Sequence, residues 1–185
     1  MSFGKNNKVW ENNTYVIPVN YELDIQTLKF VNKSNNPDPV FTDEQDSGFD
    51  LRAWITEEDE GSKLKDDVYE ITLKPMERKL FHTGLYFELP KYTEIQVRPR
   101  SGISIKYGIT VINTPATVDE GYTGECCVLL VNLSKEKFVI HNGDRIAQGV
   151  LCPVYNGALV NLIKVSEITS KTKRGDKGVG HSGIE

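Results

Sequence analysis

Residues 94–98 read Glu-Ile-Gln-Val-Arg, a strict alternation of polar and apolar side chains. Because successive side chains of a β-strand point to opposite faces, this period predicts a strand with one buried face and one wet face. Residues 126–131 are instead apolar without a break, as expected of a strand that is buried on both sides. Other short apolar runs recur roughly every 8 to 12 residues, with turn residues between them. The sequence therefore predicts an all-β fold, either a barrel or a sandwich.

Helical periodicity is weak along the whole chain. The acidic, glycine-containing stretch Glu57–Asp67 is predicted to be a long surface loop. We expect an Asn-rich extension at residues 1–20, a β-barrel domain at residues 21–169 and a tail at residues 170–185. The tail is rich in Gly, Lys and Ser and has almost nothing to bury, so it should be mobile by itself.

Composition excludes several classes of function. The chain has 185 residues, the size of one domain, and its 22 Lys and Arg against 26 Asp and Glu give a net charge of −4. It thus lacks the basic excess of proteins that coat nucleic acids, and no window approaches the ~18 apolar residues of a membrane span. Nucleic acid and membrane are therefore not expected as partners. The polar N-terminus predicts no secretory signal, and three cysteines without paired spacing predict reduced thiols in a cytoplasmic protein.

Five segments place Gly, Arg, Asp and Ser where a β-protein usually has plain turn residues, although each alone also suits an ordinary turn or strand end. They are Ser47–Ala53, Arg98–Ser104, Asn113–Glu125, Gly143–Gln148 and Arg174–Gly183. The second combines a guanidinium, a hydroxyl and an approachable Gly backbone, which are donors that suit phosphate oxygens. The third joins two apolar runs and predicts an extended hairpin. The last also fits G-x-G-x-x-G, but no strand leads into it, so a dinucleotide site is excluded.

In this order, the five segments resemble the five motifs of the trimeric deoxyuridine triphosphatase (dUTPase) family, which cleaves dUTP to dUMP and pyrophosphate. The matching residues are Ser-Gly-Phe-Asp-Leu-Arg-Ala, Pro-Arg-Ser-Gly-Ile, Val-Asp-Glu-Gly-Tyr-Thr-Gly-Glu, Gly-Asp-Arg-Ile-Ala-Gln and Arg-Gly-Asp-Lys-Gly-Val-Gly-His-Ser-Gly. The resemblance extends from about Glu22 to Gly183. It implies a jelly-roll-like β-barrel, a homotrimer with dUTP bound between subunits, and a role in limiting uracil incorporation into DNA and in supplying dUMP.

The resemblance also implies a set of residues that bind the nucleoside. The hairpin backbone and the Asn113 amide would read uracil, and Tyr122 would lie under the deoxyribose and exclude a 2′-hydroxyl. Asp119 would hold the 3′-hydroxyl and act as the general base for water that attacks the α-phosphorus. The full nucleoside set is Asn113, Thr117, Val118, Asp119, Tyr122, Cys127 and Val179.

A second implied set binds the phosphates. It consists of Arg100, Ser101, Gly102, Gln148, Arg174, Gly180 and Ser182. The implied cofactor is Mg²⁺, held by the substrate phosphates and water, since this hard ion keeps waters and rarely has an all-protein cage. No direct protein ligand to the metal is expected, and Asp50 would have a supporting role.

Three residues depart from the family pattern. Val179 stands where the family usually has Phe, so ~1–3 kcal/mol of stacking on the base would be missing. His181 replaces a small hydroxyl residue, and Ala116 replaces a Gly before the Thr-Val-Asp run.

Two alternatives to a dUTPase remain. A dCTP deaminase shares the fold, but its Ser-Ser-x-x-Arg segment and deaminating Glu have no clear counterpart in this sequence. A non-catalytic or regulatory relative would bind nucleotide or a protein partner without hydrolysis. Val179 and the two extra segments, Met1–Asn20 and Glu57–Asp67, favour that second alternative.

Overall fold

A computed structural model describes residues 9–11 and 14–16 by their backbone, and residues 26–172 and 174–176 in full. The chain divides into a compact unit of Met1–Pro153 and a second unit of Val154–Glu185. The strands are β1 (Val9–Glu11), β2 (Thr14–Val16), β3 (Lys29–Asn32), β4 (Phe49–Arg52), β5 (Lys63–Lys65), β6 (Val68–Leu73), β7 (Arg78–Phe81), β8 (Leu85–Glu88), β9 (Thr93–Arg98), β10 (Ile109–Val111), β11 (Ala116–Val118), β12 (Val128–Asn132), β13 (Phe138–His141) and β14 (Arg145–Pro153). One helix, α1 (Ser101–Tyr107), lies within this described part of the chain.

All of these strands pair antiparallel, in five small sheets. The sheets have the orders β11-β9-β14-β4, β10-β12-β7, β13-β6-β5, β3-β8 and β1-β2. Side chains from four of them meet in one apolar cluster, which includes Leu51, Leu73, Phe81, Ile95 and Leu130. Strand β9 alternates buried and half-buried residues along its whole length, as the sequence predicted. The all-β prediction is confirmed.

The helix α1 was not predicted. It has seven residues and none of them is buried, so it leaves no apolar stripe in the sequence for helical periodicity to detect. It ends at Gly108, whose φ of 67° is the left-handed conformation that glycine adopts without strain. Among the described residues, no helix is long and apolar enough to cross a membrane.

The prediction of a continuous surface loop over Glu57–Asp67 was wrong at its C-terminal end. Lys63–Lys65 form β5, an edge strand that pairs with β6, and the two-residue turn between them has positive φ at both Asp66 (49°) and Asp67 (63°). Positive φ at both central residues is the backbone of the tight turn that joins twisted strands. All three β5 side chains are exposed, so burial leaves no alternating pattern to detect.

The segment Asn113–Glu125 connects the two arms of a hairpin. Its flanking strands β10 and β12 pair with each other, with Val111 opposite Leu130. Within the connection, β11 turns away and pairs with β9 in a different sheet. The hairpin therefore spans two sheets.

Candidate active site

Four of the predicted phosphate-site residues and Asp50 line one cavity of about 430 Å³. The register of β14 brings them together, because Gln148 lies opposite both Asp50 on β4 and Arg98 on β9. The chain then leaves β9 and enters α1 at Ser101. The cavity lining consists of Thr42, Asp46, Ser47, Gly48, Asp50, Arg100, Ser101, Gly102, Arg145 and Gln148.

Asp50 organises two arginines in this cavity. Its Oδ1 lies 2.8 Å from Nε of Arg100, and its Oδ2 lies 3.4 Å from Nη1 of Arg145. Gln148 is fixed separately, since its Nε2 donates to the carbonyl of Pro99 over 3.0 Å. Two guanidiniums that share one carboxylate retain N–H donors beyond those that face Asp50, and such donors suit an anion such as phosphate.

Sequence analysis did not assign Arg145 to the site. Arg145 and Gln148 are three positions apart, so in a regular strand their side chains would point to opposite faces. A β-bulge between Arg145 and Ala147 shifts the register and buries both Ile146 and Ala147, which lets Arg145 and Gln148 line the same cavity. Ser47 and Gly48 were also missed, although they lie in the first quoted segment, and no sequence signal marked Thr42 or Asp46.

Two glycines line the cavity, and only one of them is required by the packing of the chain. A Cβ at Gly48 would lie 2.8 Å from the carbonyl oxygen of Gly149, so the packing of β4 on β14 requires glycine there. A Cβ at Gly102 would meet nothing within 4 Å. The fold of a single chain therefore does not require Gly102, and its small size leaves room for a ligand or another subunit.

The predicted nucleoside residues lie in and after the connection between β10 and β12. Asp119 follows β11 and is exposed, and its carbonyl accepts the N–H of Tyr122 over 3.0 Å. The Tyr122 hydroxyl donates to the carbonyl of Glu125 over 3.1 Å, and its ring lies so close to Gly124 that a Cβ there would be 2.5 Å from the hydroxyl oxygen. Asn113 and Thr117 are exposed and Val118 is buried.

Cys127 directly precedes β12 and is half-buried, with its Sγ 3.8 Å from Nδ1 of His82. Burial, together with the negative charge of Glu125, raises the pKa of its thiol to about 11. Burial likewise raises the pKa of the neighbouring Cys126 thiol to about 12. All three cysteines are free.

Within one chain, the Val118 end of the nucleoside set lies far from Arg100 along β9. Val118 lies opposite Ile95 near the start of β9, whereas Arg100 follows its other end. At about 3.3 Å per residue, that separation is roughly 15 Å along the sheet. None of the described nucleoside residues lines the cavity that contains Arg100.

The remaining predicted residues belong to the C-terminal unit. Arg174 is described there, and it is exposed. Val179, Gly180 and Ser182 lie outside the described residues, as does His181.

Residues 64–183 match the profile of the dUTPase family. The chain belongs to the dUTPase family. It is 45% identical over 157 residues to a deoxyuridine 5′-triphosphate nucleotidohydrolase of Cytophaga hutchinsonii, covering 85% of this chain and 92% of the relative. A relative of the same name from Finegoldia magna is 46% identical over 156 residues, covering 84% of this chain and 98% of its own.

Solved structures of dUTPases share the fold. The dUTPase of Staphylococcus bacteriophage 80alpha with dUPNHPP superposes with a TM-score of 0.68 at 24% identity, covering 86% of this chain and 100% of the phage chain. A mutant of the same phage enzyme with dUpNHpp gives a TM-score of 0.70 at 21% identity, with the same coverage. The predicted jelly-roll-like fold of this family member is confirmed.

Proposed function

We propose that the chain, a dUTP diphosphatase of the dUTPase family, hydrolyses dUTP to dUMP and pyrophosphate by attack of water on the α-phosphorus. The observation that carries this proposal is the cavity in which Asp50 holds Arg100 and Arg145, lined also by Ser101, Gly102 and Gln148. Such a reaction is mostly positioning and charge stabilisation, and fixed guanidiniums supply both.

At the phosphate end, the pairing with Asp50 limits how far the two arginines can move. Their remaining N–H groups, the Ser101 hydroxyl and the Gln148 amide are the donors available to the triphosphate. The Arg174 guanidinium and the backbone of residues 180–182 would add donors once the substrate is bound, as the family resemblance implies. Because the substrate brings negative charge, the donors need no change of protonation state to bind it.

The donor set of the cavity fits a metal ion that arrives with the substrate. Members of the dUTPase family generally depend on a divalent metal. Both oxygens of Asp50 already face guanidiniums, so Asp50 is not available as a metal ligand. The cavity therefore suits an ion that is held by phosphate oxygens and water. Mg²⁺ bound in this way would offset the negative charge that develops on the leaving pyrophosphate.

At the nucleoside end, Asp119 is the proposed general base. Asp119 is exposed and directly follows β11, which pairs with β9. The hydrogen bond from the Tyr122 N–H to the Asp119 carbonyl holds its backbone in place. The Tyr122 hydroxyl is anchored by its hydrogen bond to Glu125, which fixes the ring three residues after the proposed general base, Asp119. A fixed ring at this position is suited to reject the extra hydroxyl of a ribonucleotide.

We also propose that the working enzyme is a homotrimer. In one chain, none of the described nucleoside residues lines the cavity of Arg100, and roughly 15 Å of strand separates Val118 from Arg100, so one chain does not bring the two sets to a common site. A second subunit would bring the missing set. The C-terminal unit is consistent with this assembly, because it exposes apolar side chains that a neighbour would cover, namely Leu162, Ile163, Val165 and Ile168.

A pyrophosphate-release assay with identification of the nucleotide product tests the activity. With Mg²⁺ present, dUTP should give dUMP and pyrophosphate in equal amounts, while UTP, dCTP and dTTP should react far more slowly. Conversion of dCTP to dUTP would identify a deaminase. Binding of dUpNHpp without turnover of dUTP would identify a non-catalytic relative, and either result would contradict the proposal.

A further inference from the structure

Three side chains with metal-binding atoms converge at the junction of β7 and β12, away from the arginine cavity. His82 directly follows β7, and Cys127 directly precedes β12. Because Phe81 lies opposite Val128, the next pair along the ladder sets His82 opposite Cys127, with both side chains on the outer face. The third member, Glu125, lies two residues before Cys127.

The distances between the three groups are short. Nδ1 of His82 is 2.8 Å from Oε2 of Glu125 and 3.8 Å from Sγ of Cys127, and all three ligand atoms lie within 4.8 Å of one another. In a tetrahedral zinc site, bond lengths of 2.0–2.3 Å place neighbouring ligand atoms about 3.3–3.6 Å apart. Changes of about 1 Å in these separations would therefore bring the atoms to coordination distance.

The carboxylate of Glu125 is held in place by the loop after β7. Its Oε1 accepts the backbone N–H groups of Thr83 (3.0 Å) and Gly84 (2.8 Å). This leaves Oε2 directed at His82. Outer hydrogen bonds that fix the orientation of a ligand are a regular feature of metal sites.

A cavity of about 530 Å³ opens beside the cluster. Its lining contains four carboxylates and no lysine or arginine among the described residues, so it has a negative potential that attracts cations. It also has room for water or for a further carboxylate ligand. The lining residues are Trp54, Thr56, Glu57, Glu58, Asp59, His82 and Glu125.

We propose that His82, Glu125 and Cys127 form a binding site for Zn²⁺, a divalent metal ion of borderline softness. Imidazole, thiolate and carboxylate together are a zinc donor set, with a fourth position left to water or to an acidic side chain of the cavity. The site does not suit Mg²⁺, which requires six oxygen ligands and avoids thiolate. It is therefore distinct from the metal that accompanies the substrate.

Binding of a metal ion at this site changes the protonation of its ligands. In the metal-free chain the pKa of about 11 keeps the Cys127 thiol protonated, since burial and the Glu125 carboxylate both oppose its ionisation. Binding of the cation breaks the S–H bond, forms a metal–sulfur bond and releases the proton to solvent, and a dipositive charge reverses the electrostatics that opposed ionisation. The hydrogen that Nδ1 of His82 donates to Glu125 must also leave Nδ1, by exchange to Nε2 of the same ring, so that the Nδ1 lone pair can bind the cation. No electron is transferred.

A second histidine cluster in the chain provides a matched comparison. Nδ1 of His141 faces Asp144 at 3.3 Å, and Nε2 of the same ring faces Glu70 at 3.5 Å. The two carboxylates thus contact opposite sides of the imidazole and cannot share one ion with it. His141 is therefore a suitable control position.

A consequence for the enzyme follows, and it rests on the proposed function. The Tyr122 hydroxyl donates to the carbonyl of Glu125, and Cys127 belongs to the proposed nucleoside set. An ion at this site should therefore raise KM for dUTP. Direct metal binding is independent of that consequence, so the site can be tested whether or not the chain hydrolyses dUTP.

The experiment uses the untagged full-length chain, stripped of metal with a chelator and titrated with Zn²⁺ by calorimetry and with Co²⁺ by absorption. We expect one ion per chain and a thiolate-to-cobalt charge-transfer band. Cys127→Ser should abolish that band and weaken Zn²⁺ binding about 100-fold or more. Loss of a residue that only hydrogen-bonds to a metal ligand already lowers metal affinity by up to about 100-fold, and loss of the ligand itself should lower it further. His82→Gln should weaken binding similarly, and because His82 is exposed, this variant should fold like the wild type.

Two control variants should retain the wild-type stoichiometry and affinity, namely Cys152→Ser and His141→Gln. Thermal unfolding of each variant checks that it is folded. The proposal is overturned if the wild type binds no Zn²⁺, or if Cys127→Ser binds it as well as the wild type. A cobalt spectrum without a thiolate band would overturn it as well.

Discussion

Asp50 and Arg100 form an ion pair, with 2.8 Å between Oδ1 and Nε, that ties strand β4 to the residue preceding α1. Both side chains are about three-quarters buried, so the pair is shielded from water and salt more than a surface bridge is. Asp50 also faces Arg145. If the cavity binds phosphate as proposed, an anionic residue in its lining opposes substrate binding by its charge, and the expected contribution of Asp50 is to hold the arginines in position.

The first prediction separates these two effects. Asp50→Asn keeps an oxygen acceptor for Nε of Arg100 and removes the charge, whereas Asp50→Ala removes both. A hydrogen bond to a charged group contributes about 1.5–3 kcal/mol, so Asp50→Ala should lower kcat/KM about 10- to 100-fold and Asp50→Asn clearly less. Equal losses in steady-state kinetics of the two variants would show that charge, not positioning, is what Asp50 supplies.

The second prediction concerns the general base. Asp119→Asn should lower kcat by roughly 10²–10⁴, the usual contribution of a positioned base, and leave binding of dUpNHpp nearly unchanged. Glu120→Gln is the matched control, because the Glu120 carboxylate accepts the N–H of Tyr92 and an amide oxygen can replace it. A turnover close to that of the wild type in Asp119→Asn would assign water activation to another group.

The third prediction concerns assembly. If Asp119 and Arg100 of one site come from different subunits, then inactive Asp119→Asn and Arg100→Ala chains should complement each other when unfolded and refolded together. Random mixing in equal amounts leaves about a quarter of the sites with both native residues, so about a quarter of the wild-type activity should return. Light scattering should show a trimer. A mixture that stays inactive would place both residues in one chain's own site.

The sequence was sufficient for the fold class because the evidence for it is local. Alternation in β9 is a property of neighbouring residues, and it was read directly. The chemistry of Arg100, Ser101 and Gly102 was likewise visible as a phosphate-type donor set. The position of Arg145 in the cavity was not visible, because it depends on a bulge that changes the register of β14 against β4. Pairing register and bulges come from contacts between distant segments, which a single sequence does not display.

The metal cluster was out of reach for the same reason. His82 and Cys127 are separated by 45 positions and meet only because β7 pairs with β12. Glu125 had been quoted only as the end of a motif. Neither its spacing from Cys127 nor the lone histidine at position 82 matches a sequence pattern for metal ligands.

The fourth prediction concerns the base-covering position, which lies outside the described residues. Val179→Phe should lower KM for dUTP by roughly 5- to 140-fold, because a stacked base is worth about 1–3 kcal/mol. Val179→Leu is the control, since it adds apolar volume without a ring. Steady-state kinetics of the three forms decide the question. A gain in Val179→Leu equal to that in Val179→Phe would indicate burial of the base without stacking, and no gain in either would mean that this chain covers the base with another side chain.

The last prediction concerns alkaline pH. Burial raises the pKa of the Cys126 thiol from 9.0 to about 12, with smaller contributions from Cys127 and Glu125. Between these two values the unfolded chain loses the thiol proton and the folded chain keeps it, so the unfolded state is favoured as the pH rises. The free energy of unfolding should therefore be unaffected by this group below pH 9 and fall by about 1.4 kcal/mol per pH unit above it.

Urea unfolding of the wild type and of Cys126→Ala at pH 7, 8, 9, 10 and 11 measures the effect. The variant will be less stable throughout because Cys126 is packed in the core, but its curve should run parallel to that of the wild type up to about pH 9 and then fall less steeply. Parallel curves over the whole range would mean that the thiol ionises in the folded core as readily as in the unfolded chain.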